Sequence, residues 1–173
     1  MSFLLRVAER FADLGREVEV DTSSSTLAVE ADATGYERLL VVVRSVSQAV
    51  TLYAVHPRPV PEDRFADVAE LCARANSTEF TVALELDFAH GTFAVRAGLE
   101  TYDVDLSDAE LESLLAVLVV ELESVAGCYG PAVDAVGGGD LTPAAAATQA
   151  LAARRDEHLA EAATTLAELE ARD

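Results

Sequence analysis

The chain has no lysine and no tryptophan, and only two cysteines among its 173 residues. Without lysine, every formal positive charge is an arginine, and 12 of them stand against 31 Asp and Glu for a net charge of -19. A field of that sign repels phosphate backbones and anionic lipid, which argues against nucleic acid and membrane surfaces as direct partners. Two cysteines, Cys72 and Cys128, are too few for a disulfide framework and have no CxxC spacing, so the sequence points to a reducing, cytoplasmic setting. Long hydrophobic runs are missing as well. The longest, Leu114 to Val120, is seven residues, far short of the ~20 needed to cross a bilayer. The opening stretch MSFLLRVAERFADLG carries Arg6, Glu9 and Arg10 inside its apolar pattern, which makes an amphipathic helix and not a signal peptide.

What remains is the balance of a soluble globular protein, 51% hydrophobic and 25% charged. A chain of this length buries roughly 70% of its unfolded surface and needs no staple. An acid-rich, lysine-free composition suits a salt-loaded cytoplasm, where the self-repulsion is screened. It equally suits a GC-rich genome, and the sequence leaves the two open.

Along the chain, Leu4, Val7, Ala8, Phe11 and Leu14 recur at three and four, one face of a helix that Gly15 ends. EVEVD and STLAVEA alternate as a short antiparallel pair, and a turn follows at Thr34 and Gly35. RLLVVVR and AVTLYAV are β-branched runs apolar on both faces, which predicts central strands of a sheet covered on two sides. The second ends at His56-Pro57, since proline cannot continue a ladder. A helix then buries Phe65, Val68, Ala69, Cys72 and Ala75. Cys72 lies on that apolar stripe and reads as a small hydrophobe. His56 reads as a loop residue, because no acid or nucleophile is tied to it by spacing.

TVALELDFAHGTFAVRAGLE is a hairpin with one dry and one wet face. Arg96 on the wet face is placed to pair with Glu85 or Asp87, and the two carboxylates read as a solvated face, not an acid/base pair. Ser107 and Glu110 spell a capping box that starts a long helix. Its segment from Leu114 to Val120 is apolar all round, so the helix must be covered on two sides, by the sheet and by a second helix or a second subunit. Cys128 follows on the same helix or at its end, near Gly127, and reads as packing. Gly137-Gly138-Gly139 lacks the GxxxxGK[ST] frame of a phosphate loop and reads as a hinge. Thr142-Pro143 opens an alanine-rich C-terminal helix with Leu159, Ala162, Leu166 and Leu169 at heptad spacing.

AVHPRPVPEDRFADVAELCARAN, the hairpin with Gly91 and Arg96, and YDVDLSDAELESLL together resemble the YbjN family. The resemblance covers roughly Ser2 to Val136 and implies a fold like that of type III secretion chaperones. In that family a strand ends in a proline-containing turn, the next helix closes on an Asn like Asn76, and a hairpin precedes an acidic capped helix. This chain departs from it in lacking Trp and in having only Asn76-Ser77-Thr78 before the hairpin. The family is described as regulators of sensory transduction that act as non-enzymatic, often dimeric, binding proteins, so the resemblance brings no catalytic residues.

The expected fold is therefore α+β, an antiparallel sheet of five to six strands packed with helices, in a domain 1–136 followed by a glycine hinge and helical extension 137–173. The expected function is a non-enzymatic, cytoplasmic protein-binding module, chaperone-like or regulatory, acting as a homodimer with a further protein partner and no cofactor. Its expected contacts are Leu115, Leu118, Val119, Leu159 and Leu166, together with the sheet edges. The alternative is a small-molecule or cation sensor with a pocket near Tyr53, His56 and Tyr102 and acidic contacts from Asp103 to Asp108, although that run lacks the Gly and Glu of an EF-hand loop.

Overall fold

The computed structural model describes residues 2–32, 35–102 and 104–170, apart from the side chains at 161, 165, 166 and 168–170. Thr34, at the expected turn, and Asp103, at the expected acidic loop, lie outside the described residues. The elements run α1 (Phe3–Asp13), β1 (Val18–Asp21), β2 (Thr26–Glu30), β3 (Arg38–Arg44), β4 (Ala49–Val55), α2 (Phe65–Ala75), β5 (Val82–Asp87), β6 (Thr92–Glu100), α3 (Asp108–Gly137) and α4 (Pro143–Glu170). The six strands form one antiparallel sheet in the order β1-β2-β3-β4-β6-β5. The architecture is the expected α+β one.

Local chemistry sets the boundaries. Ser2 caps α1 by accepting from the Leu5 N–H, and Gly15 at φ 80 releases the chain. The Asp21 carboxylate accepts from the N–H and hydroxyl of Ser23 and from the hydroxyl of Ser24, closing the β1–β2 turn. Ser107 and Glu110 form the capping box of α3 reciprocally, at 3.3 and 2.8 Å.

The helices all lie on one face of the sheet, and this corrects the expectation of a sheet covered on both. Val41, Val43, Val50, Leu52, Phe93 and Val95 are buried beneath α1, α2 and α3. On the opposite face Leu40 is 42% and Val55 36% exposed. The β-branched residues there satisfy strand propensity without being packed by this chain, so apolar character on both faces was not evidence of two covering layers.

α3 runs on past Gly127 to Gly137, so Cys128 lies within the helix and the break falls at the glycine segment, as expected. The helix passes through Gly127, Gly130 and Pro131 although interior Gly costs ~1 and Pro ~3 kcal/mol. Burial outweighs this: Val125, Ala126, Tyr129, Val133 and Val136 are all within 2% of complete burial, and each large side chain removed from water contributes roughly 1.5–3 kcal/mol. Gly130 also makes room for Tyr36, whose hydroxyl would stand 3.3 Å from an added Cβ.

The glycine segment is a hydrogen-bonded reversal. Gly138, Gly139 and Asp140 donate to the carbonyls of Asp134, Val136 and Ala135, and Gly139 takes φ 79. α4 then folds back in cis onto α3 and α2, burying Ala146 and Ala150. Arg154, 4% exposed, is its anchor: the guanidinium meets Glu121 at 2.6 Å, Ser124 at 2.5 Å, Glu157 at 3.5 Å and Glu79 at 3.7 Å. A second buried pair, Arg16 with Glu123, joins the end of α1 to α3 bidentately at 2.6 and 2.8 Å, and Glu123 also accepts from the Asp32 N–H.

Even with all 12 arginines each engaged with one of the 31 acidic side chains, at least 19 carboxylates have no formal cation. Self-repulsion therefore persists, screened over ~10 Å at 0.1 M salt and ~3 Å at 1 M. We expect the melting temperature at neutral pH to rise between 0.1 and 2 M KCl; a flat or falling curve would show local balance. Acid acts the other way. From charge crowding alone one expects raised carboxylate pKa values, but the five that are displaced among the described residues, Asp21, Asp87, Asp108, Glu110 and Asp134, all move down. Hydroxyl and N–H donors from Ser23 and then Ser24 take Asp21 to about 2. His90 lowers Asp87, Arg6 lowers Asp108, and Ser107 lowers Glu110. For Asp134 burial opposes ionisation, and hydrogen bonds from Arg58 and His56 outweigh it. A folded pKa below the unfolded one contributes stability above the unfolded value, near 4, and loses it as pH falls through the folded value. Thermal denaturation should thus shift to lower temperature between pH 4 and pH 2.

Candidate interaction surface

α3 presents three faces. Leu111, Leu115, Val119 and Leu122 point into the core and are at most 2% exposed. Leu118 is half-buried. The opposite ridge, Leu114, Val117 and Val120, is 38%, 68% and 60% exposed. Of the five expected contact residues, Leu115 and Val119 are thus core, Leu118 is intermediate and Leu159 is open at 61%; the Leu166 side chain lies outside the described residues. The helix was identified correctly as amply apolar, but its rotation was not, because a segment apolar all round has no periodic signal to orient it.

The sheet edges differ. At β5 the Asn76 side chain, held at the end of α2, donates to the Leu84 carbonyl at 3.0 Å and accepts from the Leu84 N–H at 2.8 Å. The amide therefore takes the place of a neighbouring strand, and β5 has no free backbone pair at its centre for strand addition. β1 at the other edge is four residues long and exposed for three of them.

The uncovered sheet face is broader. Leu40, Val42, Thr51, Tyr53, Val55 and Ala94 form its middle, with depressions of about 610 Å³ beside Leu40 and Tyr53 and about 440 Å³ beside Arg96 and Gly98. Arg96 pairs with Glu85 at 2.5 Å and Arg38 with Glu19 at 3.1 Å. The expected Arg96 pairing is present, and Glu85 and Asp87 are surface carboxylates.

His56 follows the end of β4 in the proline-rich loop, as expected, but it is buried there and not open to solvent. It is 8% exposed, its Nε2 donates to Asp134 on α3 at 2.9 Å, and its ring meets Tyr36 and Phe93 edge-on. Arg58 grips the same carboxylate with two nitrogens. The Asp134 partner lies 78 residues away, so no local spacing signals it. The trio ties the proline-rich loop to α3 beside a cleft of about 260 Å³. Tyr53 faces the uncovered side of the sheet, His56 lies under the helices and Tyr102 is 64% exposed. The structure does not bring these three together as the sensor pocket required.

Cys72 is buried on α2, and burial pushes its thiol up to about 12; Cys128 is half-buried and its pKa is also raised, first by desolvation. A thiol held protonated is a poor nucleophile. With a disulfide reagent at pH 8 we expect slow labelling of Cys128 alone, and labelling of Cys72 only after unfolding. Fast native reaction at Cys72 would contradict its packed position.

No protein-family model and no curated protein sequence matches this chain. The fold is nevertheless YbjN-like. The crystal structure of YbjN from E. coli, a candidate transcription regulator, superposes with a TM-score of 0.60 over 74% of this chain and 91% of that one, at 13% identity.

Proposed function

We propose that the chain is a non-enzymatic, cytoplasmic regulatory module that works by binding protein and acts as a homodimer. The observation that carries this reading is the six-stranded sheet with helices on one face only, its other face apolar at the centre. Leu40 and Val55 stay 42% and 36% exposed there, and apolar side chains grouped on an open face mark an interaction surface. The YbjN neighbour is named for transcription; with a charge of -19, direct contact of this chain with DNA is unfavourable, so regulation here runs through a protein partner. The exposed ridge Leu114, Val117 and Val120 on α3 supplies a second apolar surface for that partner. A photo-crosslinking residue at Val117, expressed in the source organism, should give one recurrent protein adduct that is absent when the probe stands at the exposed Glu70. Equal adducts at both positions, or none at either, would overturn the protein-binding reading.

A further inference from the structure

We propose that the uncovered sheet face is self-complementary and takes a second copy of this chain, face to face, about a two-fold axis running along β4. The proposal rests on the dimeric reading above and names its interface. In the strand register Arg44, Ala49 and Glu100 form one cross-strand row, Val42, Thr51 and Gly98 the next, and Leu40, Tyr53 and Arg96 the third. With strands about 4.8 Å apart, the outer members of each row stand about 10 Å apart, one on each side of β4.

Rotation about β4 places β3 of one copy over β6 of the other, row upon row. Three complementary meetings result. Arg44 comes over Glu100 of the second copy, and Glu100 over its Arg44. Within one chain Arg44 makes no ion pair with a described residue, whereas the other arginines of this face are already engaged with Glu19 and Glu85. Val42 comes over Gly98, where there is no side chain and the groove lies open. Leu40 comes over the aliphatic stem of Arg96, and Tyr53 meets Tyr53 near the axis. The first row sets positive over negative, the second large over small and the third apolar over an aliphatic stem, and each off-axis contact occurs twice, as a two-fold interface requires. Packed sheets cross at about 30°, a displacement the long Arg44 and Glu100 side chains span. An axis across the strands, passing between the Leu40 and Val42 rows, would set Arg44 over Arg38, two like charges.

The test is light scattering on the full chain at 1 M KCl, with R44E, E100R, their equimolar mixture, and G98L. Gly98 has an ordinary backbone conformation, and a Cβ there would meet nothing closer than 3.7 Å, so G98L folds as a monomer. Each single variant should associate about ten-fold or more weakly than wild type. The mixture should recover wild-type affinity as a heterodimer, because both acidic positions then lie on the R44E copy and both basic ones on the E100R copy, and opposite charges meet again at each contact. Wild-type dimers indifferent to all three variants would place the interface elsewhere, overturning the proposal while leaving the dimeric reading standing. A mixture that stays monomeric would overturn the axis. A wild-type monomer at 100 μM would remove both. Melting curves of each variant confirm that loss of association is not loss of fold.

Discussion

Arg154→Ala is expected to cost about 3–5 kcal/mol, the range for removing one partner of a buried ionic cluster. The loss exceeds that of an ordinary pair because three carboxylates, Glu79, Glu121 and Glu157, converge on this guanidinium and would be left facing one another. Among the described side chains of α4, Arg154 is the buried polar anchor, and the other buried residues, Ala146 and Ala150, contribute little area. Alanine side chains alone do not hold a helix of this length to a core. The melting temperature should fall by on the order of 10 °C, and amide exchange should accelerate across residues 143–158 before it does in β4. A change of under 2 °C would mean that α4 is held by something other than this cluster.

Leu115→Ala is expected to destabilise by about 2–5 kcal/mol, the cost of a cavity in a packed core. Val117→Ala, two residues on, should stay within about 0.5 kcal/mol, since an exposed position loses no packing. The contrast follows from exposures of 0% and 68% on the same helix. Urea titrations of the two variants decide it: equal midpoints would mean that α3 is rotated from the position described. Val120→Glu, at a position 60% exposed on the same ridge, should in addition weaken the adduct formed by the probe at Val117 while leaving the midpoint nearly unchanged.

The sequence displays clearly what is decided locally. The alternation of Val82, Leu84 and Leu86 against Ala83, Glu85 and Asp87 specifies one hairpin face, and Ser107 with Glu110 specifies a helix start within four residues. Both were legible because a period or a cap is written into adjacent positions. What escaped is decided by distance in the chain. Asp134 reaches His56 across 78 residues and Glu123 reaches Arg16 across 107, and no spacing announces either. Whether α3 ends near Gly127 or runs past it was left open for the same reason: propensity is a local quantity, while Tyr129, Val133 and Val136 are fixed by the layer they pack against. The interaction surface was legible only as a quantity. Excess apolar character showed that something is left uncovered, and the fold then shows that it is a sheet face and one helix ridge.

The amide of Asn76 has a consequence for the protein in bulk. A sheet edge with a free N–H and C=O is a template for another chain, and proteins protect such edges with charge, bulges or cover. Here the protection of β5 at Leu84 is a single side chain making two hydrogen bonds. Losing them takes little from the stability of one molecule, yet it opens an alternating, apolar-rich strand to its copies. The damage would appear as turbidity that grows with protein concentration and with salt, as screening removes the repulsion that otherwise keeps the copies apart. At low ionic strength the charge of -19 disperses the molecules; at high ionic strength the protection of this edge passes to one asparagine.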